Sequence, residues 1–475
     1  MLERMDSKQS NKLGRYAKWI CALCAVLAFL GAAVGIAYHN LKTINSLYLQ
    51  SDDGDLYLSI ARNMLENAHF IQTARPIEAF VVPPGLPAIS TLMLFLTGRL
   101  SEFLVGLGFA DHAIGQASAD MLGLLGFQYI VYGLAAAVMA LTGLKLAFNG
   151  LGKGEMPKPL PWVFSVLIGI ATPVFYVWCS IKVRHPNPGF ILTENYVVCL
   201  IALVIWLVVK GTDVRRIVPV TFILTLFRPA CSPLPIAAFV WMVIRAIHDR
   251  VAKNKPPICE RVRFYDIFVM LAAFALIIGI NIGVNYIETK EIIPLEDYSS
   301  MDVYLANNEK AGPEWYHSGK VPEFASQRYN QIALNDSLTR YQQNKLAKEA
   351  LTAYVQANAK TVVSNACTRF VRLFCETWGV VFYAFLVCVV AQMILKGLNW
   401  ARKTYLLLAA VFLSVMPAFG LLVARYSAPM FPLFITMIVG TVGEIIAMIA
   451  TKPKKETVPV QAPEEIPEPQ PAQPA

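Results

Sequence analysis

Apolar residues fall into long runs along the chain, roughly 17–38, 121–148, 160–181, 191–209, 264–286, 371–395, 403–423 and 428–450. Each approaches the ~20 residues that a helix needs to cross a bilayer, so each predicts a transmembrane helix. Two further regions depart from a plain span. Residues 86–107 are apolar but hold Pro87, Gly98, Arg99 and Glu102. Residues 217–247 are interrupted by Arg228-Pro229-Ala230-Cys231-Ser232-Pro233-Leu234-Pro235. Between 287 and 370 the chain turns polar and rich in Tyr, Asn and Gln, which predicts a folded segment outside the bilayer. From Leu338 onward, Leu346, Ala350, Tyr354, Val362, Ala366 and Phe370 recur at helical spacing. They predict an amphipathic helix that runs into the span at 371. The Pro-, Glu- and Gln-rich stretch from Pro459 to Ala475 predicts a disordered tail.

Composition agrees with that pattern. Hydrophobic residues make up 56% of the 475 and charged residues 15%, and mean hydropathy is +0.51. A soluble domain carries about 25% charged residues, so this chain has too few to cover a water-facing surface. The net charge of +9 is spread over short blocks between apolar runs. That sets orientation in a membrane, and no contiguous basic face suggests nucleic acid. Arg4, Lys8, Lys12, Arg15 and Lys18 precede the first run, and the loops Lys145–Lys158, Lys210–Arg216, Arg245–Arg263 and Lys396–Lys403 and the tail after Lys452 are also basic. All are expected in the cytoplasm, as are both termini. The first run is long and lacks a small-x-small cleavage site before Tyr38, so it reads as an uncleaved span. For the sidedness to close, 86–107 returns as a hairpin or lies near the outer interface, and 217–247 goes out and back with its proline-rich break at the outer turn.

The nine cysteines predict no disulfide framework. Cys21 and Cys24 have redox-pair spacing, but they sit inside the first span, where a small buried hydrophobe is the plainer reading. Cys367 and Cys375 are eight residues apart on one expected helix, too far to bridge. His39, His69, His112, His248 and His317 have no partner at ligand spacing and read as structural or solvated.

Candidate chemistry gathers on the expected outer face. The loop Ser51-Asp52-Asp53-Gly54-Asp55-Leu56-Tyr57 packs three carboxylates into four residues, a density that favours a bound cation or a raised pKa. The plain alternative is that Ser51 or Asp52 caps the following helix and the rest is solvated. Glu194 opens the span at 191, where it also complements the helix dipole. Cations stand out on this side: Lys182, Arg184, His185, Arg228 at the proline break, and Arg425 in Ala424-Arg425-Tyr426-Ser427-Ala428-Pro429. Arginine near hydrocarbon is costly and tends to be paired or functional, and it binds phosphate in a two-pronged fashion. Snorkelling explains Lys182.

Asp53-Gly54-Asp55-Leu56-Tyr57-Leu58-Ser59-Ile60-Ala61 followed by Pro83-Pro84-Gly85-Leu86-Pro87 resembles the first-loop pattern of GT-C glycosyltransferases. These are polyprenyl- or dolichyl-phosphate-sugar-dependent enzymes, including the protein mannosyltransferase and aminoarabinose transferase groups. Thr193-Glu194, Phe227-Arg228-Pro229, the helix leading to Arg369-Phe370, and Arg425-Tyr426 before Pro429 extend the resemblance over roughly 17–450. Each motif alone has low specificity; their order and membrane side carry the likeness. It implies an all-α polytopic membrane protein, a GT-C-like bundle of about 10–12 transmembrane helices each near bilayer length. The implied division is a cytoplasmic 1–16, a transmembrane module 17–286 with a catalytic outer loop 39–85, an outer soluble helical segment 287–370, C-terminal helices 371–450 and a tail 451–475. In that family the aspartate four residues before the loop tyrosine is catalytic, which is Asp53 before Tyr57 here. The second acid would be Glu194. Val82-Pro83-Pro84 departs from the Lys-Pro-Pro of the aminoarabinose type, so a lysine contact to phosphate is missing.

The resemblance implies sugar transfer from a polyprenyl-phosphate donor to an acceptor hydroxyl on a glycan, lipid or protein, with inversion. Asp53 would act as general base, and Asp52, Asp55 and Glu194 as supporting acids. Asp53, Asp55 and Glu194 could hold a divalent cation, Mg or Mn, through oxygen ligands. Arg228, Arg425, Arg184 and His185 would neutralise the donor phosphate, with Tyr57 and Tyr426 beside them. The expected location is a bacterial inner membrane, since the chain is short and shows no retention signal. Two alternatives remain in view: a polysaccharide polymerase or ligase, and a lipid-linked-glycan transporter or flippase. A transporter should show internal repeats and mid-membrane acids, and neither is evident in the sequence.

Overall fold

The computed structural model describes residues 7–68, 81–108, 121–149, 159–251, 262–316, 321–395 and 398–450. The expected disordered tail, His69, His112 and His317 lie outside the described residues. So does the side chain of Asp52, whose backbone opens a helix.

Helix α1 (Ser7–Ile44) shows how the bundle is built. Ile20, Cys24, Ala28, Ala32, Ile36 and Asn40 recur every four residues and are all buried. This stripe of mostly small side chains lets α1 lie close against α4 (Leu122–Asn149) and α5 (Leu160–Val183). Such close backbone approach is how helices associate where lipid supplies no hydrophobic drive. Cys24 is a small buried thiol in that stripe, and Cys21, Cys24, Cys367 and Cys375 are all free.

Between α1 and α4 run α2 (Asp52–Asn67) and α3 (Gly85–Gly106). Then follow α6 (Glu194–Lys210), α7 (Val214–Phe227), α8 (Pro233–Val251) and α9 (Phe264–Thr289). The proline-rich break is a short 3-10 turn at Pro229–Cys231, and α7 packs back on α8 as a hairpin. Residues 86–107, by contrast, form the single continuous helix α3 and not a hairpin.

The protein is an all-α polytopic membrane protein. Among the described residues, seven helices are long and apolar enough to cross a bilayer, or up to eight if one bent pair counts as a span. The expected 10–12 are not reached by this measure. At 1.5 Å per residue, α6 (17 residues), α7 (14) and α15 (Val380–Ile394, 15) rise only about 26, 21 and 23 Å, short of about 30 Å of hydrocarbon. Helix α3 has the length but carries Arg99 and Glu102.

The polar segment is helical: α10 (Ser299–Ala306), α11 (Val321–Phe324), α12 (Gln327–Ala333), α13 (Arg340–Ala357) and α14 (Ala359–Phe370), the last two replacing, with a break at Asn358, the one helix that the periodicity from Leu338 predicts. Met301, Tyr304, Ile332 and Ala347 form its own small core. It does not run straight into the next span. After a wide π-type turn at Val371–Glu376, the chain bends by 96° into α15. Gly379 allows this with φ +47, which a side chain would resist.

Two staples hold this segment to the bundle. Buried Arg369 donates to Asn307 Oδ1 (3.2 Å), Gly312 O (3.1 Å) and Ala306 O, and Asn307 Nδ2 donates to Phe419 O at 2.7 Å. Arg369 thus anchors α10 and lies away from the ion pairs described below. At the other staple, the backbone of Asp297 donates to Val81 O and its carboxylate accepts from Val81 N, each at 3.3 Å. Burial pushes the Asp297 carboxyl up to about 7. A raised folded-state pKa means the folded form holds its proton longer, so the stability linked to Asp297 is fully present below about pH 4 and is lost as pH rises towards 7, because burial disfavours the charge even though the Val81 amide bond favours it. Asp297→Asn keeps the acceptor and should flatten that dependence, read as hydrogen exchange at the Val81 amide between pH 5 and 8. Unchanged pH dependence in the variant would remove Asp297 from this role.

The two ends of the bundle differ in chemistry. One end holds Asn40, Asn187 and the start of α6; the other holds Lys210, Arg215, Arg245 and Arg402. At that second end Arg215 pairs with Asp213 at 2.7 Å and Asp266 at 3.6 Å, and Arg245 with Asp249 at 2.9 Å. Helix α16 (Trp400–Val415) starts there, while α17 (Phe431–Ala450) finishes there.

Candidate active site

Four segments distant in sequence meet at the first end. Ser51, in extended conformation, caps α2 by accepting from Gly54 N at 3.0 Å. The cap is therefore serine, which leaves Asp53 free of that duty. Gly54 fits tightly: a Cβ there would lie 2.7 Å from Ser51 Oγ and 3.3 Å from Ile191 O. That contact seats the first turn of α2 on the loop leading to Glu194. At the other side, a Cβ on Gly85 would lie 2.8 Å from the Phe227 ring and 2.9 Å from Leu226 O. The Pro83-Pro84-Gly85 stretch thus abuts the residues just before Arg228.

Glu194 is the first residue of α6 and is only 4% exposed. Arg228 Nη1 reaches its Oε1 at 3.2 Å. Arg425, on a short 3-10 helix Ala424–Met430, reaches Asp53 Oδ2 with Nη1 at 2.9 Å. Its Nε lies 3.9 Å from Glu194 Oε1, too far for a hydrogen bond, and this buried donor has no partner. The Tyr426 ring faces both guanidinium groups, 5.0 Å from Arg228 and 5.8 Å from Arg425. Tyr57, one turn after Asp53, is buried beside the same charges, and burial raises its hydroxyl.

His185 lies in the loop before α6, with its ring 5.1 Å from Phe190 and its buried Nδ1 unpartnered. Burial pushes the imidazole down to about 4, against the opposing pull of Glu194. It is therefore a neutral neighbour of the cluster at physiological pH. Beneath it a ladder of buried amides braces the loop. Asn40 and Asn187 exchange bonds at 2.9 Å, Asn195 donates to Gln128 Oε1 at 2.8 Å, and Asn187 Oδ1 accepts from Gly189 N.

No protein-family model matches the chain, and a search of curated proteins finds no match either. The site must be read from its own geometry. Of the residues singled out in the sequence, Asp53, Glu194, Arg228, Arg425, Tyr57, Tyr426 and His185 come together. Arg184 does not: it is exposed, in left-handed conformation at the end of α5, where its backbone amide donates to Ile181 O at 3.3 Å. Asp55 turns away, accepting from Tyr48 OH at 3.2 Å and Gln50 Nε2 at 3.0 Å. Lys182 lies over Trp178 and Trp378, 5.2 and 5.4 Å from their rings, in keeping with snorkelling.

The expected cation set of Asp53, Asp55 and Glu194 does not fit. Two of its carboxylates already face guanidinium groups, and the third bonds elsewhere. Among the described residues no three His, Cys, Asp or Glu side chains gather as metal ligands.

Sequence reasoning missed the part that the polar segment contributes. Glu296, Tyr298 and Asp302 approach the cluster from above. Burial raises the Glu296 carboxyl, which feels Arg228, and raises the Tyr298 hydroxyl beside Tyr57. Asp302 keeps solvent contact, yet crowding by surrounding protein and by the carboxylates of Glu296 and Asp53 pushes it up to about 6. The run Leu295-Glu296-Asp297-Tyr298, acidic and aromatic like the first loop, was the available signal.

Proposed function

We propose that this protein is a GT-C-like glycosyltransferase that moves a sugar from a polyprenyl-phosphate donor to an acceptor hydroxyl. The observation that carries the reading is the charge-balanced cluster Asp53–Arg425, Glu194–Arg228, built at one end of an apolar bundle. Two arginines backed by carboxylates suit a phosphate at a membrane surface. The resemblance of the first loop and of the order of motifs points the same way. Lys210, Arg215, Arg245 and Arg402 lie at the opposite end, and by the positive-inside rule this supports an outer-face cluster, in a bacterial inner membrane on our reading.

The reaction needs a base, a leaving group and a charge sink. Asp53 takes the proton of the acceptor hydroxyl, and the acceptor oxygen attacks the anomeric carbon from the face opposite the phosphate. The bond from that carbon to the phosphate oxygen breaks, and polyprenyl phosphate departs with the electron pair. Arg228 and Arg425 stabilise its charge, using donors such as the unpartnered Arg425 Nε. Asp53 must release Arg425 to act as base, and the donor phosphate offers Arg425 the replacement anion. Glu194 keeps both guanidinium groups in place.

The test is release of polyprenyl phosphate by the purified protein in nanodiscs supplied with a polyprenyl-phosphate sugar and membrane acceptor. Release coupled to acceptor glycosylation supports the reading; acceptor modification with no release would overturn it. Since the acids are matched by arginines, EDTA is expected to leave the rate within about twofold. A loss beyond tenfold that added Mg restores would show that a cation is required.

A further inference from the structure

We propose that Arg369 is a positioning residue for Arg425: through Asn307 it fixes the strap 419–423, on which Arg425 and Tyr426 are mounted. This deepens the reading of the site given above, and its chemical consequence rests on that reading.

Arg425 follows a gap between helices. Helix α16 ends at Val415, a 3-10 turn occupies Met416–Phe419, and the 3-10 helix carrying Arg425 starts at Ala424. Residues 420–423 between them have no helical ladder of their own. A stretch of this kind takes its course from whatever binds its backbone. Here the outer segment binds it: Phe419 O accepts from Asn307 Nδ2 at 2.7 Å, and Leu422 O accepts from Tyr316 N at 3.0 Å. Its side chains alternate as in a strand. Leu421 and Val423 pack with Leu305 and Phe324 of the outer segment, whereas Leu422 is buried with the transmembrane core. The strap is thus held between the two, and Arg425 comes two residues after it.

Arg369 holds the outer side of this joint. It is 2% exposed; its Nη1 donates to Asn307 Oδ1 at 3.2 Å, and its Nη2 donates to Gly312 O at 3.1 Å and to Ala306 O. None of these acceptors is a carboxylate, so what the fold uses is the shape of the guanidinium fork. Asn307 passes the constraint on. Its Oδ1 accepts from Arg369 while its Nδ2 donates to Phe419 O and, at 2.9 Å, to Val303 O, which leaves the amide one orientation. Arg372, one turn later, donates to Pro313 O at 2.8 Å and steadies the loop that presents Tyr316. The site needs such a mount. The Arg425 side chain is tied to Asp53 at 2.9 Å, a bond that must break when Asp53 acts as base. From then on its backbone, and so the strap, sets where the guanidinium meets the donor phosphate. A misplacement of about 1 Å can cost about 10²-fold in rate.

Asn307→Asp tests the link. The carboxylate keeps the bond from Arg369 but turns an acceptor towards Phe419 O, so the outer segment stays anchored while the strap is released. In the full protein in nanodiscs, the Tyr316 and Tyr426 amides, which donate to Leu422 O and Val423 O, should exchange hydrogen about tenfold faster. Donor kcat/KM should fall about tenfold, with the acceptor KM within about twofold of wild type. Arg369→Lys should do the same, because one ammonium nitrogen cannot take the places of both Nη1 and Nη2. Thr339→Ala, which uncaps α13 in the same segment and leaves the strap's bonds alone, should keep donor kcat/KM within about twofold. If Asn307→Asp does not fold, Arg372→Gln serves: it loosens only the Tyr316 loop and should speed exchange at both amides about threefold. Unchanged exchange in the variant that folds would overturn the clamp. Faster exchange with unchanged donor kcat/KM, or an equal loss in Thr339→Ala, would overturn the positioning of Arg425. A wild-type protein that transfers no sugar would instead overturn the reading of the site, and exchange would still decide the clamp.

Discussion

Asp53→Asn should lower sugar transfer by about 10²–10⁴-fold, the usual contribution of a positioned general base. The variant should insert and fold normally. Asn keeps an oxygen that accepts from Arg425 Nη1, now 2.9 Å from Asp53 Oδ2, so the local contact persists while basicity is gone. Asp53 is also half-exposed at the mouth of the site, so losing its charge strands no deeply buried cation. Initial rates of polyprenyl phosphate release, measured beside the thermal melting of wild type and variant, check the expectation. Wild-type turnover in a well-folded variant would remove Asp53 from the chemistry.

The second large effect is expected at Arg228. Its Nη1 lies 3.2 Å from a Glu194 carboxylate whose side chain is 5% exposed. Arg228→Ala leaves that buried charge with the Thr193 hydroxyl at 3.4 Å and Arg425 Nε at 3.9 Å. Removing one member of a buried pair typically costs about 3–5 kcal/mol. The same change removes a guanidinium group assigned to the donor phosphate, so donor use should fall by about 10²-fold, the usual loss of one charge-stabilising donor. The double variant Arg228→Ala with Glu194→Gln separates the two roles. It should recover most of the stability, since no unpaired charge remains buried, and it should not recover donor use. The acceptor KM should stay near that of wild type throughout. Recovery of turnover together with stability would show that Arg228 is structural only.

Much of the fold was legible in the sequence for simple reasons. Apolar runs near bilayer length and basic loops between them are coarse signals that tertiary packing does not overturn. The proline break at Arg228 read correctly as a turn between two helices, because Pro229, Pro233 and Pro235 cannot continue a helix interior. The 96° bend at Gly379 was not legible. A glycine in an apolar run is compatible with a span, and only the docking of α14 against the bundle demands the positive φ. Seven or eight of the 10–12 implied spans meet the measure of length and apolarity among the described residues, and α6 and α7 are apolar but shorter than those.

The site divides in the same way. Asp53, Glu194, Arg228 and Arg425 could be grouped because charges are rare in such a chain and topology put them on one side. Asp55, two residues from Asp53, was grouped with it by proximity alone. On α2, however, its side chain leaves the helix in another direction, towards Tyr48 and Gln50. Arg184 was included for its charge, and nothing local in the sequence said that it would end α5 facing solvent. Glu296, Tyr298 and Asp302 were missed because they belong to a segment whose fold returns over the cluster through long-range contacts. The Asp297–Val81 pair joins residues 216 positions apart, and no local pattern encodes it.

Mass spectrometry of lipid-linked and surface glycans tests the central claim most directly, in cells that make either the wild-type protein or Asp53→Asn at equal levels. The account predicts that the variant accumulates a polyprenyl-phosphate sugar and lacks that one sugar on an acceptor glycan, lipid or protein. Identical lipid-linked and acceptor profiles in the two strains would contradict it.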